Sequence, residues 1–91
     1  MYVILVYDIS KIDKGQKRWN RVFKLCKQYL IHVQNSVFEG EISKANLFKL
    51  EHDINNEINQ EMDSVIIFKS RNERWLDKEI LGKRLDDPLF I

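Results

Sequence analysis

Residues 2–7, Tyr2-Val3-Ile4-Leu5-Val6-Tyr7, form an unbroken apolar run rich in β-branched and aromatic side chains. The run falls far short of the roughly 18 residues needed to cross a bilayer, and it reads as a strand with apolar side chains on both faces. Such a strand must be covered twice. In a chain of 91 residues, enough for one domain with a modest core, three large side chains facing water on one side amount to roughly 5–8 kcal/mol of missing burial. Something has to cover that second face, and a second copy of the chain is the simplest candidate.

The rest of the chain supplies the first cover. Between residues 16 and 30, Trp19, Val22, Phe23, Cys26 and Leu30 recur at helical spacing and define one apolar helix face. His32-Val33-Gln34 and residues 36–42 read as two short strands in a tight antiparallel turn near residues 34–36. In the second of these, Phe38 and Ile42 face one way and Val37, Glu39 and Glu41 the other. Ser43 is a helix N-cap candidate, followed by Leu47, Leu50, Ile54 and Ile58, and residues 64–69 form another largely apolar strand. The order strand, helix, strand, strand, helix, strand is the α+β, ferredoxin-like βαββαβ pattern, with two helices on one face of a four-stranded antiparallel sheet. The expected organisation is a single domain over residues 1–91. Its core spans residues 1–69, and a fifth strand over residues 74–81 and an apolar tail over residues 88–91 help to lock the dimer.

Three glycines and one proline beside 44% hydrophobic residues exclude collagen-like, low-complexity and disordered chains. The single cysteine, Cys26, cannot form an internal disulfide. No basic stretch precedes the apolar run and no small-residue cleavage site follows it. The expected setting is therefore the cytoplasm, without a membrane. The net charge of +1 conceals segregation: residues 11–27 carry seven basic side chains against Asp13 alone, and residues 39–63 carry seven acids against Lys44 and Lys49. A concentrated basic segment creates a local field for phosphate even on a near-neutral protein.

Zinc, Walker and dinucleotide motifs are absent, and His32 and His52 lack metal-ligand spacing. Cys26 lies on the apolar stripe of the first helix and reads as a buried structural thiol. Asp8 follows directly on the apolar strand, so its carboxylate sits at the rim of the core. By itself it is a turn acid ending a strand. In a dimer whose two-fold axis passes near that strand end, it faces its own copy. Two close carboxylates repel unless a divalent cation lies between them, and Mg²⁺ suits such a pair, polarising a bound water. Lys14, Lys17, Arg21, Lys24 and Gln28 recur at three- and four-residue steps and form a cationic stripe, which is either a solvated helix face or a phosphate-binding surface. The near-absence of acids among them favours nucleic acid. An RNA-recognition module of the same fold fits poorly, because residues 36–42 offer Phe38 and two glutamates instead of a basic residue and two stacking aromatics.

Tyr7-Asp8-Ile9-Ser10, a Lys/Arg-rich helix, Val33-Gln34-Asn35-Ser36-Val37-Phe38-Glu39-Gly40 and the Asp63-Ser64-Val65 opening of the fourth strand together resemble the CRISPR-associated protein two family. The resemblance runs from residue 1 to about residue 69. It implies a homodimer with facing sheets and a fifth strand that pairs with the partner. It also implies a Mg²⁺-dependent endonuclease on RNA or DNA, with Mn²⁺ as a substitute, in which Asp8 is the metal-binding acid. Tyr7, Ser36 and Phe38 match the neighbourhood of the catalytic site, and Arg18 and Arg21 fall in the family's basic helix. A second implied role is the bridge between CRISPR integrase dimers during spacer acquisition. One departure stands out: His32 occupies a position where many members carry arginine. The expected function is thus an adaptation subunit with endonuclease activity on Asp8, Tyr7, Ser36 and Phe38, binding nucleic acid through Lys14, Lys17, Arg18, Arg21 and Lys24. The alternatives are a non-catalytic DNA-binding scaffold and a small-molecule regulatory domain with no use for the basic helix.

Overall fold

The computed structural model describes residues 1–82. Its elements are β1 (Tyr2–Asp8), α1 (Gly15–Lys27), β2 (Ile31–Gln34), β3 (Val37–Glu41), α2 (Lys44–Glu57) and β4 (Ser64–Ser70), with a 3-10 turn at Glu73–Trp75. The sheet order is β2-β3-β1-β4 and every pairing is antiparallel. This is the expected ferredoxin-like α+β arrangement, and it makes the most apolar strand central. None of the described helices is long and apolar enough to cross a membrane.

Alternation along β1 divides its side chains between two environments. Val3, Leu5 and Tyr7 are buried with Phe38, Ile42, Val22, Cys26, Leu30, Leu47, Leu50 and Ile54 in one core between sheet and helices. Tyr2, Ile4, Val6 and Asp8 face the opposite way, because successive strand residues alternate sides. Ser43 caps α2 as its type predicts, its Oγ accepting from the Asn46 amide at 3.1 Å. α1 starts without a side-chain cap, from Asp13 and Lys14 in the left-handed region at φ 50° and 63°. Its first residue must be glycine: a Cβ on Gly15 would lie 1.9 Å from the Ser10 carbonyl oxygen.

The turn between β2 and β3 places Asn35 at φ 45°, a conformation asparagine tolerates better than most residues. The register shifts between His32 and Gln34, leaving Val33 as a bulge residue. His32 thereby pairs with Phe38 on the helix side of the sheet.

The open face of the sheet is less bare at its centre than the sequence implies and more bare at its flanks. Tyr2 is buried there, and Ile4 and Val6 are half-buried. The large exposed apolar side chains belong to the neighbours: Ile66 and Phe68 on β4 remain 54% and 56% exposed, and Ile31 on β2 is 70% exposed. Side chains of flanking strands shelter a central strand, whereas edge strands have no such neighbours on their outer side. The register places Phe68, Ile4, Glu39 and Ile31 in one row, and Ile66, Val6 and Val37 in the next.

The fifth strand expected over residues 74–81 is not formed among the described residues. Asn72 instead caps the turn at Glu73–Trp75, its side-chain oxygen accepting from the Arg74 amide at 3.0 Å, and residues 76–81 join no ladder. The segment is held by a side chain, the Lys78 ammonium donating to Glu39 on the open face. Glu39 in turn accepts from the Tyr2 hydroxyl at 2.8 Å. Burial first, then this contact, drive the Tyr2 phenol well above its ordinary pKa. The tail over residues 88–91 lies outside the described residues.

Candidate active site

Asp8 is the last residue of β1 and is exposed. It pairs with Ser64 across the sheet and lies one row beyond the apolar row of Ile66, Val6 and Val37. Its carboxylate therefore stands at the rim of the open apolar face. Beside it opens a cleft of about 460 Å³ whose polar wall includes Asp8, Ser10, Lys11, Gln16, Asn35 and Ser36, with Trp19 and Tyr7 behind. The Tyr7 amide donates to the Ser36 carbonyl at 3.1 Å, which ties the β2–β3 turn to the end of β1. Ser36 and Asp8 are thus neighbours on one cleft, as the sequence resemblance implies.

Tyr7 and Phe38 are placed differently. Both are core residues, 2% and 0% exposed, with their rings stacked at a centroid distance of 6.2 Å. Tyr7 packs edge-on against Trp19 at 5.7 Å, and Phe23 packs against Phe38 and His32 at 5.2 and 4.8 Å. The strand's two-residue period puts the Tyr7 ring on the helix side and Asp8 on the open side, so the two adjacent residues cannot present side chains to one substrate atom. Burial, with a further push from Cys26, drives the Tyr7 phenol well above its ordinary pKa, and its hydroxyl has no hydrogen-bond partner among the described residues. Tyr7 and Phe38 form the aromatic floor behind the cleft and supply no proton-transfer group to it.

His32 is likewise structural. Its Nε2 lies 2.8 Å from the Asn35 carbonyl oxygen, so that nitrogen carries the proton and donates to the turn, while the ring packs on Phe23 and Phe38. Cys26 is fully buried and burial pushes its thiol up to about 12, in agreement with an inert core cysteine.

The cationic stripe is exposed at Lys14, Lys17, Arg21 and Lys24. Lys14, Lys17 and Arg21 border a second depression. Arg21 makes one long contact there, 3.4 Å between its exposed guanidinium and the half-buried Glu57, a pair that solvent leaves weak. Arg18 also borders this depression, but its guanidinium is turned inward. Its Nε donates to Asp63 at 2.8 Å, its Nη2 donates to the Ser10 and Ile12 carbonyls at 3.2 and 3.0 Å, and its Nη1 donates to the Asp13 carbonyl. The side chains of the pair are 11% and 0% exposed. Four of the five guanidinium N–H donors are engaged, so Arg18 is not presented for gripping nucleic acid as Lys14, Lys17, Arg21 and Lys24 are. Sequence reasoning missed this partner, although the lone acid directly before the apolar fourth strand was its signal.

Among the described residues no three His, Cys, Asp or Glu side chains come together, and Asp8 is the one acid lining the cleft, so a cation there would have one carboxylate from this chain. Such a donor set does not suit zinc or calcium, which take a fuller protein shell. It does suit Mg²⁺, which takes one or two carboxylates and keeps several waters.

A central apolar strand flanked by antiparallel neighbours, with two helices on one face, defines a small ferredoxin-like α+β protein. The family model described as CRISPR associated protein Cas2 matches residues 1–78. The chain belongs to the Cas2 family. It is 52% identical over 86 residues to the CRISPR-associated endoribonuclease Cas2 of Fusobacterium nucleatum, covering 94% of this chain and 81% of that protein. It is also 44% identical over 82 residues to the endoribonuclease Cas2 of Thermococcus kodakarensis, covering 90% and 88%. A crystal structure of Cas2 superposes with a TM-score of 0.81 at 41% identity, covering 96% of this chain and 92% of that one. Streptococcus pyogenes Cas2 at pH 6.5 superposes at 0.79 with 32% identity, covering 90% and 100%.

Proposed function

We propose that this protein is a Mg²⁺-dependent endoribonuclease that works as a cytoplasmic homodimer and joins a CRISPR integrase during spacer acquisition. The position of Asp8 carries the reading: an exposed carboxylate at the rim of an exposed apolar sheet face, beside a polar cleft. Covering that face with a second copy brings two Asp8 carboxylates toward a shared axis. Mg²⁺ bound there supplies charge neutralisation for the scissile phosphate and a water of lowered pKa. Asp8 anchors the cation and orients its water shell. Lys11 places a positive charge at the cleft, and Gln16, Asn35 and Ser36 offer donors and acceptors to an unpaired strand. Lys14, Lys17, Arg21 and Lys24 hold the flanking phosphates without reading sequence. RNA is the favoured substrate because the curated relatives are named endoribonucleases.

One observation favours the second reading, a non-catalytic DNA-binding scaffold. With Tyr7, Phe38 and His32 held in the core or by the turn, Asp8 is the cleft's one acidic side chain. Asp8→Asn separates the two readings. It keeps shape and removes charge from both copies, so Mg²⁺-dependent cleavage of single-stranded RNA is expected to fall by orders of magnitude while dimer mass and nucleic-acid affinity persist. Unchanged cleavage by rigorously purified variant overturns the catalytic role. Absence of cleavage in the unaltered protein leaves the scaffold.

A further inference from the structure

We propose that Arg18 and Asp63 are positioning residues for the cleft, acting through the backbone of residues 10–13 to hold the Asp8 strand end in one geometry. The proposal rests on the endoribonuclease reading above. One carboxylate joins three segments. Asp63 Oδ1 accepts from the Ser10 amide at 2.9 Å, and Oδ2 accepts from the Asn59 amide and Arg18 Nε, both at 2.8 Å. Through Arg18 the same carboxylate reaches the carbonyls of Ser10, Ile12 and Asp13. The loop that leaves Asp8 is therefore held at an N–H and three carbonyls by one buried ion pair.

Two further features act on the same loop. Gly15 lets the α1 backbone press onto the Ser10 carbonyl, where any Cβ would collide. Asp13 and Lys14 are held in the left-handed region, which costs energy for residues other than glycine and persists only where surrounding contacts impose it. The brace also reaches Asp8 from the other side, since Asp63 directly precedes Ser64, the cross-strand partner of Asp8. A buried ion pair adds little net stability compared with apolar packing of similar volume, so its conformational effect is the more telling one. A reacting carboxylate has to be held to about 0.5 Å, and a displacement of about 1 Å costs on the order of 100-fold in rate.

The test compares Asp63→Asn, Arg18→Gln, the double variant and the milder Arg18→Lys in the full-length protein. Steady-state cleavage of single-stranded RNA with Mg²⁺ is measured well below each melting temperature. RNA binding without Mg²⁺ is measured across a salt series, and amide hydrogen exchange is followed over residues 9–14. Each single variant is expected to lower kcat by about 10- to 100-fold with KM unchanged. The double variant falls no further than the singles, RNA affinity and its salt slope stay constant, and exchange over residues 9–14 accelerates more than in β1 or β3. Arg18→Lys keeps the charge without the fork and restores only part of kcat. If Arg18→Gln weakens RNA binding and flattens the salt slope while Asp63→Asn does neither, Arg18 is an RNA contact and the proposal is wrong. A normal kcat in folded Asp63→Asn makes the pair merely structural. Should the unaltered protein show no Mg²⁺-dependent cleavage, the enzymatic reading fails on its own account. The brace is then judged by exchange alone, and unchanged exchange over residues 9–14 refutes it.

Discussion

Removing one oxygen from Tyr7 tests whether this residue belongs to the chemistry or to the core. Tyr7→Phe keeps the ring that meets Trp19 at 5.7 Å and Phe38 at 6.2 Å, so packing is unchanged. It deletes a hydroxyl that is buried without a hydrogen-bond partner among the described residues, in a side chain 2% exposed. A buried polar group left unpaired forfeits about 1–3 kcal/mol of solvation, and the variant is expected to gain about 1–2 kcal/mol of stability. In a domain of this size each kcal/mol moves the midpoint by about 4–8 °C, which gives a rise of roughly 4–16 °C. Thermal unfolding at matched protein concentration measures it, since the midpoint of a dimer depends on concentration. RNA cleavage by the same preparation should stay within about twofold of the parent. A midpoint that falls by several degrees shows that the hydroxyl has a stabilising partner after all. A tenfold or greater loss of cleavage with the midpoint maintained returns Tyr7 to the catalytic set.

Three other outcomes bear on the same picture. Phe68→Lys places a charge on the bare β4 flank of the open face. Each copy loses about 1 kcal/mol from the half of the ring still exposed and must also cover an ammonium, so dimer dissociation measured by light scattering or sedimentation should rise by about 100-fold. Unchanged association would place the dimer contact elsewhere. Neutralising Lys14, Lys17, Arg21 and Lys24 together should weaken RNA binding for all sequences and flatten log K against log salt by roughly 0.7–0.9 for each phosphate no longer neutralised; equal weakening with an unchanged slope signals misfolding instead. Stability should drop at acid pH through Asp63. Burial raises its carboxyl, but the Asn59 amide, the Arg18 guanidinium and the Ser10 amide outweigh burial and hold it below the usual carboxylate range. The stabilisation is therefore complete above the unfolded carboxyl's pKa, about 3.9, and disappears as pH falls below it toward the folded value. Denaturant midpoints should hold from pH 7 to pH 5 and fall below about pH 4, and the fall should be shallower in Asp63→Asn.

Residue type alone settled the elements and their order as far as β4, but not the segment beyond it, where the expected strand over residues 74–81 is absent among the described residues. The apolar run of β1, the 3.6-residue stripe of α1 and the Ser43 cap are local patterns, and local patterns survive whatever packs on them. They also settled that Cys26 is core and that Asp8 stands at a strand end. Tertiary structure decided which groups share a face. Tyr7 and Asp8 are adjacent in sequence but their side chains point to opposite faces of the sheet because strand side chains alternate, so a motif that names both gives the cleft one carboxylate and one buried ring. Arg18 looked like its basic neighbours until Asp63, 45 residues away, closed on it. Glu39 looked like an exposed acid until Tyr2 and Lys78 met it on the open face. The sequence could show that a second face needed a cover, since that follows from counting apolar side chains on β1. Which strands carry the bare patch depended on register, and register is fixed by long-range pairing and by the bulge at Val33, neither of which leaves a periodic trace in the chain.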